Sequence, residues 1–312
     1  MPNRFKRCVS ILSLTLMILL IGCAFQCSLP SKTELKKMFQ IDLGNDTLTD
    51  VIEYGDGFIC VVNKRELRVM TKQGQVQASQ IMDEDITCVS AYRFISVSYG
   101  HGNVKIFSED TEKGMLVEEY SFSFDKDVAA TFGHYYVLKF DYLLEDGTLY
   151  RLSLPESEED AEPDLDLCLE DVKLVGYNFA VFKDNSIMFI EDPDQKRYSP
   201  CKEEIVGVSS YGHFYTKSSA YESATLIDEE IETFASFDHG QFYAGDAGNF
   251  YVKDEQFYYQ GDLEGEFTGP VAPHTSPVKV DIPQGYHYCA IRHGIVCYDE
   301  HTISCYVVYE AK

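Results

Sequence analysis

Apolar positions fall into one unbroken run near the start of the chain and many short alternating runs after it. The unbroken run, Cys8–Gly22, carries no charge across its 15 residues. That is short for a membrane-spanning helix and right for the apolar region of a secretion signal. Beyond it, apolar and polar residues alternate over short stretches separated by Gly, Asn, Asp and Pro, which is the pattern of half-buried strands joined by tight turns. Lys32–Phe39 fits one or two helical turns; no segment after residue 22 predicts a long helix.

The short runs recur. A module opens with an acidic–aliphatic pair, continues into a strand, turns tightly, and ends in a second strand rich in aromatics. Openings fall at Asp50-Val51, Asp85-Ile86, Asp127-Val128, Asp171-Val172, Glu204-Ile205, Glu230-Ile231 and, in degenerate form, Val280-Asp281-Ile282. The third copy is clearest, with Asp146-Gly147 between Leu143-Leu144 and Leu149-Tyr150. Asp-Gly between alternating segments is a strong hairpin signal. His101-Gly102-Asn103, Asp184-Asn185, Ala247-Gly248-Asn249 and His293-Gly294 punctuate other copies. A small sheet with two apolar faces cannot bury them alone, whereas a ring of such sheets buries every face. The expected fold is therefore all-β: one closed β-propeller of about seven blades over residues 41–312. Val128, Leu149, Val172, Ile187 and Ile205 are expected to pack between blades.

The chain's start adds an address. Arg4, Lys6 and Arg7 precede the apolar run, which ends in Leu20-Ile21-Gly22-Cys23. This resembles the lipobox of bacterial lipoproteins. The resemblance implies a signal peptide over 1–22, cleavage between Gly22 and Cys23, lipidation of the Cys23 thiol, and a tether over 23–40. The alternatives are an uncleaved anchor or a plain secretion signal. Two acyl chains on one Cys suffice for stable membrane retention. The expected place is the bacterial cell membrane or cell surface, lipid-anchored and extracytoplasmic.

The repeat also resembles that of the regulator of chromosome condensation superfamily of propellers. Gly133-His134 and Gly212-His213 match its Gly-His element, and Gly285–Ile291 with Gly294–Tyr298 look like its bacterial variant with paired Cys. The aromatic after the turn is Tyr150, Phe107 or Tyr298, where the family usually has Trp. The resemblance implies no catalytic residue; it implies Gly for tight turns and His for buried hydrogen bonds, with His134, His213 and His287 at equivalent positions.

Export changes how the ten cysteines read. No pair has the short spacing of a zinc site. A turn at Arg292-His293-Gly294 would set Cys289 opposite Cys297, so a cross-strand disulfide is expected there; two small buried thiols are the alternative. Cys168 with Cys201 is a weaker pairing. Charge narrows the partners. The chain holds 51 Asp+Glu against 26 Lys+Arg, a net charge of −25. Residues 1–22 carry three positive charges and no negative ones, so the remainder stands at −28. That argues against nucleic acid, whose binders present a basic face. Much of the charge sits in Glu156–Asp171, an acidic excursion near 155–171 between the third and fourth modules.

Candidate chemistry is sparse. There is no Gly-x-Ser-x-Gly, no phosphate-binding loop and no His-Glu-x-x-His. His293 and His301 fall at turns. Asp42-Leu43-Gly44-Asn45-Asp46 has a faint calcium-loop pattern but lacks the closing Glu and reads as a polar turn. Tyr211, Phe214, Tyr215 and Tyr221, and the aromatics from Phe242 to Tyr259, fill space between blades; a carbohydrate-stacking surface is the alternative. Catalytic residues, metal and cofactor are expected to be none. The expected function is a monomeric, non-enzymatic scaffold binding a protein or cell-envelope component. A glycan-active hydrolase or lyase with carboxylates at the central channel, and a structural member of an envelope assembly, are the alternatives.

Overall fold

A computed structural model describes residues 32–134, 138–155, 163–191, 194–209, 212–222, 226, 233–237, 241–245, 248–261 and 277–311. Every numbered element among them is a β-strand. After β1 (Lys32–Asp42), the first unit is β2 (Leu48–Tyr54), β3 (Gly57–Val62), β4 (Glu66–Met70) and β5 (Val76–Ile81). The second is β6 (Ile86–Ala91), β7 (Ile95–Tyr99), β8 (Asn103–Asp110) and β9 (Met115–Ser123). The third is β10 (Val128–Gly133), β11 (Lys139–Leu144), β12 (Leu149–Ser153) and β13 (Asp164–Leu169). The fourth is β14 (Val172–Gly176), β15 (Phe179–Phe182), β16 (Ile187–Phe189) and β17 (Arg197–Tyr198). The fifth is β18 (Gly207–Val208), β19 (His213–Tyr215), β20 (Ser219–Glu222) and β21 (Thr233–Ser236). The sixth is β22 (Phe242–Gly245), β23 (Gly248–Lys253), β24 (Gln256–Gly261) and β25 (Val278–Lys279). The last is β26 (His287–Ile291), β27 (Gly294–Tyr298) and β28 (Thr302–Ala311).

Each unit is an antiparallel four-stranded meander, and the seventh takes its fourth strand from the chain's other end. β1 pairs antiparallel along β28, from Lys32↔Ala311 to Asp42↔Thr302. The helical turns expected for Lys32–Phe39 are therefore not formed, and the tether boundary at residue 40 is corrected: residues 32–42 are a strand of the last unit. Leu35, Met38 and Phe39 have helix-like spacing, but local propensity is a weak prior. Here ten ladder pairs and the packing of Met38, Phe39 and Ile41 on a buried cluster override it.

Seven apolar clusters join successive units. Leu48, Phe58 and Val62 of the first meet Ile291, Val296 and Ile303 of the last. Ile59 and Leu67 meet Ile95 and Val97. Val104 and Ile106 meet Phe140 and Leu152. Corresponding clusters join the third to the fourth, the fourth to the fifth, the fifth to the sixth and the sixth to the last. The series closes on itself, as a ring of two-faced sheets requires. Val128, Leu149, Val172, Ile187 and Ile205 are all buried in these interfaces.

In the first four units the innermost strand carries the same irregularity. The ladder skips a residue after Leu48, Ile86, Val128 and Val172. A bulge adds local twist, here at one fixed place per unit. It also corrects the repeat: the counterpart of Ile86, Val128 and Val172 is Leu48, not Val51. The later openings drift further. Glu204-Ile205 precedes β18, Val280-Asp281-Ile282 precedes β26, and the sixth unit opens at Phe242, whereas Glu230-Ile231 lies outside the described residues.

The Cys289–Cys297 disulfide is overturned by register. The turn has two residues, Arg292 and His293, with Ile291 opposite Gly294. Cys289 therefore faces Val296 and Cys297 faces Tyr288. Alternate residues of a strand point to opposite faces. Cys289 packs toward the first unit and Cys297 toward the sixth. Both are free thiols, as are Cys168 and Cys201. Mass mapping under non-reducing conditions is expected to return Cys289 and Cys297 unlinked; a crosslinked peptide would mean the register is shifted by one.

Candidate functional site: the central channel

The innermost strands surround a cavity of about 900 Å³. The first unit supplies Asp50, Ile52 and Glu53, and the second Val89, Ser90 and Tyr92. Thr131, Phe132 and Gly133 come from the third, Ser209 and Tyr215 from the fifth, Phe242 and Tyr243 from the sixth, and Tyr288, Cys289 and Arg292 from the last. Sequence reading placed carboxylates here without naming them. Both lie on β2, just past its bulge.

The carboxylates do not oppose each other. Asp50 and Glu53 are three positions apart on one strand, about 10 Å along the wall at roughly 3.3 Å per residue. The facing walls offer hydroxyls, aromatic rings and small side chains. Asp50 is exposed to the channel, yet the protein crowding it holds its carboxyl above the ordinary range, partly offset by the Val51 N–H it accepts at 2.8 Å. Burial likewise pushes the Tyr243 phenol up to about 12 and the Cys289 thiol well above its usual value. A thiol so raised is a poor nucleophile, because the thiolate is the reactive form. Arg292 brings the cation at the rim, 3.4 Å from Asp56.

Behind the channel wall lies a buried polar group that sequence reading half found. His134 was expected to make a buried hydrogen bond. Its Nε2 meets Asp141 Oδ2 at 2.8 Å, and both residues are buried. Arg151, directly opposite Asp141 in the ladder, donates Nε to Oδ1 at 2.7 Å and a terminal nitrogen to Oδ2 at 2.9 Å. Its other terminal nitrogen reaches Glu191 of the fourth unit at 3.3 Å, and Lys139 reaches the same oxygen at 3.0 Å. Burial alone would raise the Asp141 carboxyl; the bonds from Arg151 and His134 outweigh it and hold the carboxyl below its ordinary range. The missed signal was a charge inside each apolar run, Phe140-Asp141-Tyr142 and Tyr150-Arg151-Leu152.

His213 is buried beside Ser209, whose Oγ accepts the His213 backbone N–H at 3.1 Å and lies 3.2 Å from Nδ1. Burial pushes this imidazole down to about 4, too weak a base for proton transfer near neutral pH. Because the folded value lies below the ordinary 6.5, the contribution is complete above pH 6.5 and fades as pH falls toward 4. At about 1.4 kcal/mol per unit, the linkage removes about 2 kcal/mol between pH 7 and pH 5. His213→Gln is expected to flatten that slope in urea melts; an unchanged slope would mean the imidazole is not buried neutral.

The other predicted positions separate. His134 follows the first strand of its unit, His213 opens a second strand, and His287 opens a first strand at the surface. They are not equivalent, so the Gly-His element has no constant place. His293 sits in its turn at φ 57°, and His301 in the turn before β28 with Nδ1 3.1 Å from the Asp46 carbonyl. Asp46 is held by Arg68 and Asn63, and Asp42 accepts the Gly44 N–H, which makes 42–46 a closed polar turn. Phe214, Tyr221, Phe250, Phe257 and Tyr259 fill the interfaces between units. Tyr211, Gly22, Cys23, Cys27 and Glu156–Glu162 lie outside the described residues.

Solved β-propeller structures share this arrangement. The β-propeller domain of Cps50 (Swd1) from Myceliophteria thermophila superposes with a TM-score of 0.58, covering 88% of this chain and 99% of that one. The fold is a β-propeller. At 9% identity the likeness extends to the fold alone. The units are thus blades, and the last is closed by strands from both ends of the chain. No protein-family model matches the sequence, and no curated protein does.

Proposed function

We infer that the chain is a lipid-anchored, extracytoplasmic β-propeller that acts as a non-enzymatic scaffold for a protein or cell-envelope component. The observation that carries the scaffold reading is the channel's one-sided chemistry. Glycoside hydrolysis uses two carboxyl groups flanking the scissile bond, and here both carboxylates stand on one wall. The buried His213 and the raised Cys289 thiol supply neither base nor nucleophile. The aromatic lining with one protonation-prone carboxyl keeps a glycan-active enzyme as the second reading, and Asp50 is the residue on which that reading depends.

The anchor rests on the basic start, the 15-residue apolar run and Leu20-Ile21-Gly22-Cys23. Cys23→Ala is expected to abolish incorporation of radiolabelled palmitate and to leave full-length precursor. Label in the variant would refute the lipobox assignment and leave the scaffold reading untouched.

A further inference from the structure

A propeller's outermost strands are open edges, and an open edge invites an added strand. Most edges here are defended. β5 is capped by a parallel bridge to β9, Ser79↔Met115. β9 is bulged and carries Glu118 and Glu119. β1 is bulged and carries Lys36 and Lys37. β17 and β25 have two residues each. β21 is bulged between Thr233 and Ala235. β13 confines its bulge to one end, at Cys168. Among the described residues it is the free edge of its blade, paired with β12, and its ladder is regular from Asp164 to Leu167. Asp164, Leu165, Asp166 and Leu167 are all exposed, Leu165 by 38% and Leu167 by 56%. Two exposed leucines on an edge strand are what β-proteins ordinarily avoid.

The side chains alternate by face. Leu165 and Leu167 lie beside Leu152 and Tyr150, extending the apolar face of the blade outward. Asp164 and Asp166 stand on the other face. We propose that β13 is a docking edge for an extended segment of a partner protein in which apolar residues alternate with Lys or Arg. Such a strand would continue the ladder, set its apolar residues against Leu165 and Leu167, and set its cations against Asp164 and Asp166. This is strand addition, in which backbone bonds give affinity and alternate side chains give specificity. The carboxylates also select against a second copy of this chain, since antiparallel self-pairing would bring acid against acid, and like charges directly opposite are destabilising. The proposal deepens the scaffold reading by naming the partner's chemistry and does not depend on the lipid anchor.

The test uses the full chain in detergent and a labelled peptide of about eight residues alternating Val and Lys, the length of an ordinary strand. Binding is expected, with exchange of backbone amides slowed in residues 164–169. Asp164→Lys, opposite Ser153, with Asp166→Asn, which places no cation opposite Arg151, is expected to weaken it about tenfold or more without moving the unfolding temperature. N-methylating alternate peptide nitrogens removes ladder donors and is expected to abolish binding while leaving the protein untouched. Equal binding of the N-methylated peptide, or of a peptide with the Val and Lys residues in separate blocks, would reduce the effect to charge attraction and overturn the proposal. So would binding indifferent to the two Asp substitutions, no binding at all, or a dimer of the chain broken by Leu167→Lys.

Discussion

A chain ended before Val278 is expected to be insoluble or molten, with no cooperative thermal transition, although it keeps five whole blades and three strands of the sixth. The missing blade packs on both neighbours. On one side Ile291, Val296, Ile303, Cys305 and Val307 cover the first blade. On the other, Ala290, Ile295, Cys297 and Val308 cover the sixth. Its loss would expose on the order of several hundred Å² of apolar surface per face. At roughly 25 cal/mol per Å², the two faces together outweigh the usual margin of about 5–15 kcal/mol. Light scattering, dye binding and a thermal scan of the truncated chain check this. A soluble fragment with a sharp transition would mean that the ring is not a cooperative unit. Deleting residues 32–42 is the milder version, since it removes one strand and its packing while leaving β26–β28 in place.

The largest effect of one substitution is expected at Arg151. Arg151→Ala leaves the fully buried Asp141 carboxylate without its bidentate partner. Breaking a buried pair on one side costs about 3–5 kcal/mol, whereas replacing both charges by apolar residues of similar volume is often near neutral. Arg151→Ala is therefore expected to lower stability in urea by about that amount, and adding Asp141→Leu is expected to recover most of it. The pH dependence follows from the depressed carboxyl. A group held below its ordinary value of 3.8 contributes stability above that pH and loses it as pH falls through the folded value. The gap between wild type and Arg151→Ala is thus expected to be largest near neutral pH and to narrow as pH falls into acid, because burial without Arg151 favours the protonated carboxyl in the variant. A gap that stays constant into acid would mean Asp141 is not the ionised partner.

The fold was legible where one blade explains itself. Asp146-Gly147 gives the hairpin, with Gly147 at φ 93°, and the acidic–aliphatic openings mark β6, β10 and β14 within a residue. Legibility faded in the later blades because their first two strands place glycine under aromatic rings instead of aliphatics. A Cβ on Gly207 would lie 2.1 Å from the Tyr215 ring, and one on Gly248 would lie 2.5 Å from the Tyr259 hydroxyl. These Gly–Tyr pairs occupy space that a branched side chain fills elsewhere, so the aliphatic signal vanishes while the blade remains. The closing strand was not legible because its partner lies at the opposite end of the chain. The disulfide failed on one residue of register, which reverses the face a side chain takes. The site was half legible: His134 stood out as a buried hydrogen bonder, but Asp141 and Arg151 meet only through the ladder.

This propeller is expected to bind a partner and to turn over no glycan. Crosslinking in intact cells followed by pull-down of the full chain tests it, alongside glycan turnover by the purified chain. The expected result is one partner recovered in constant proportion, equally with wild type and with Asp50→Asn plus Glu53→Gln, and no turnover by either. A chain that retains no partner, yet cleaves a glycan with activity lost in Asp50→Asn, would contradict it.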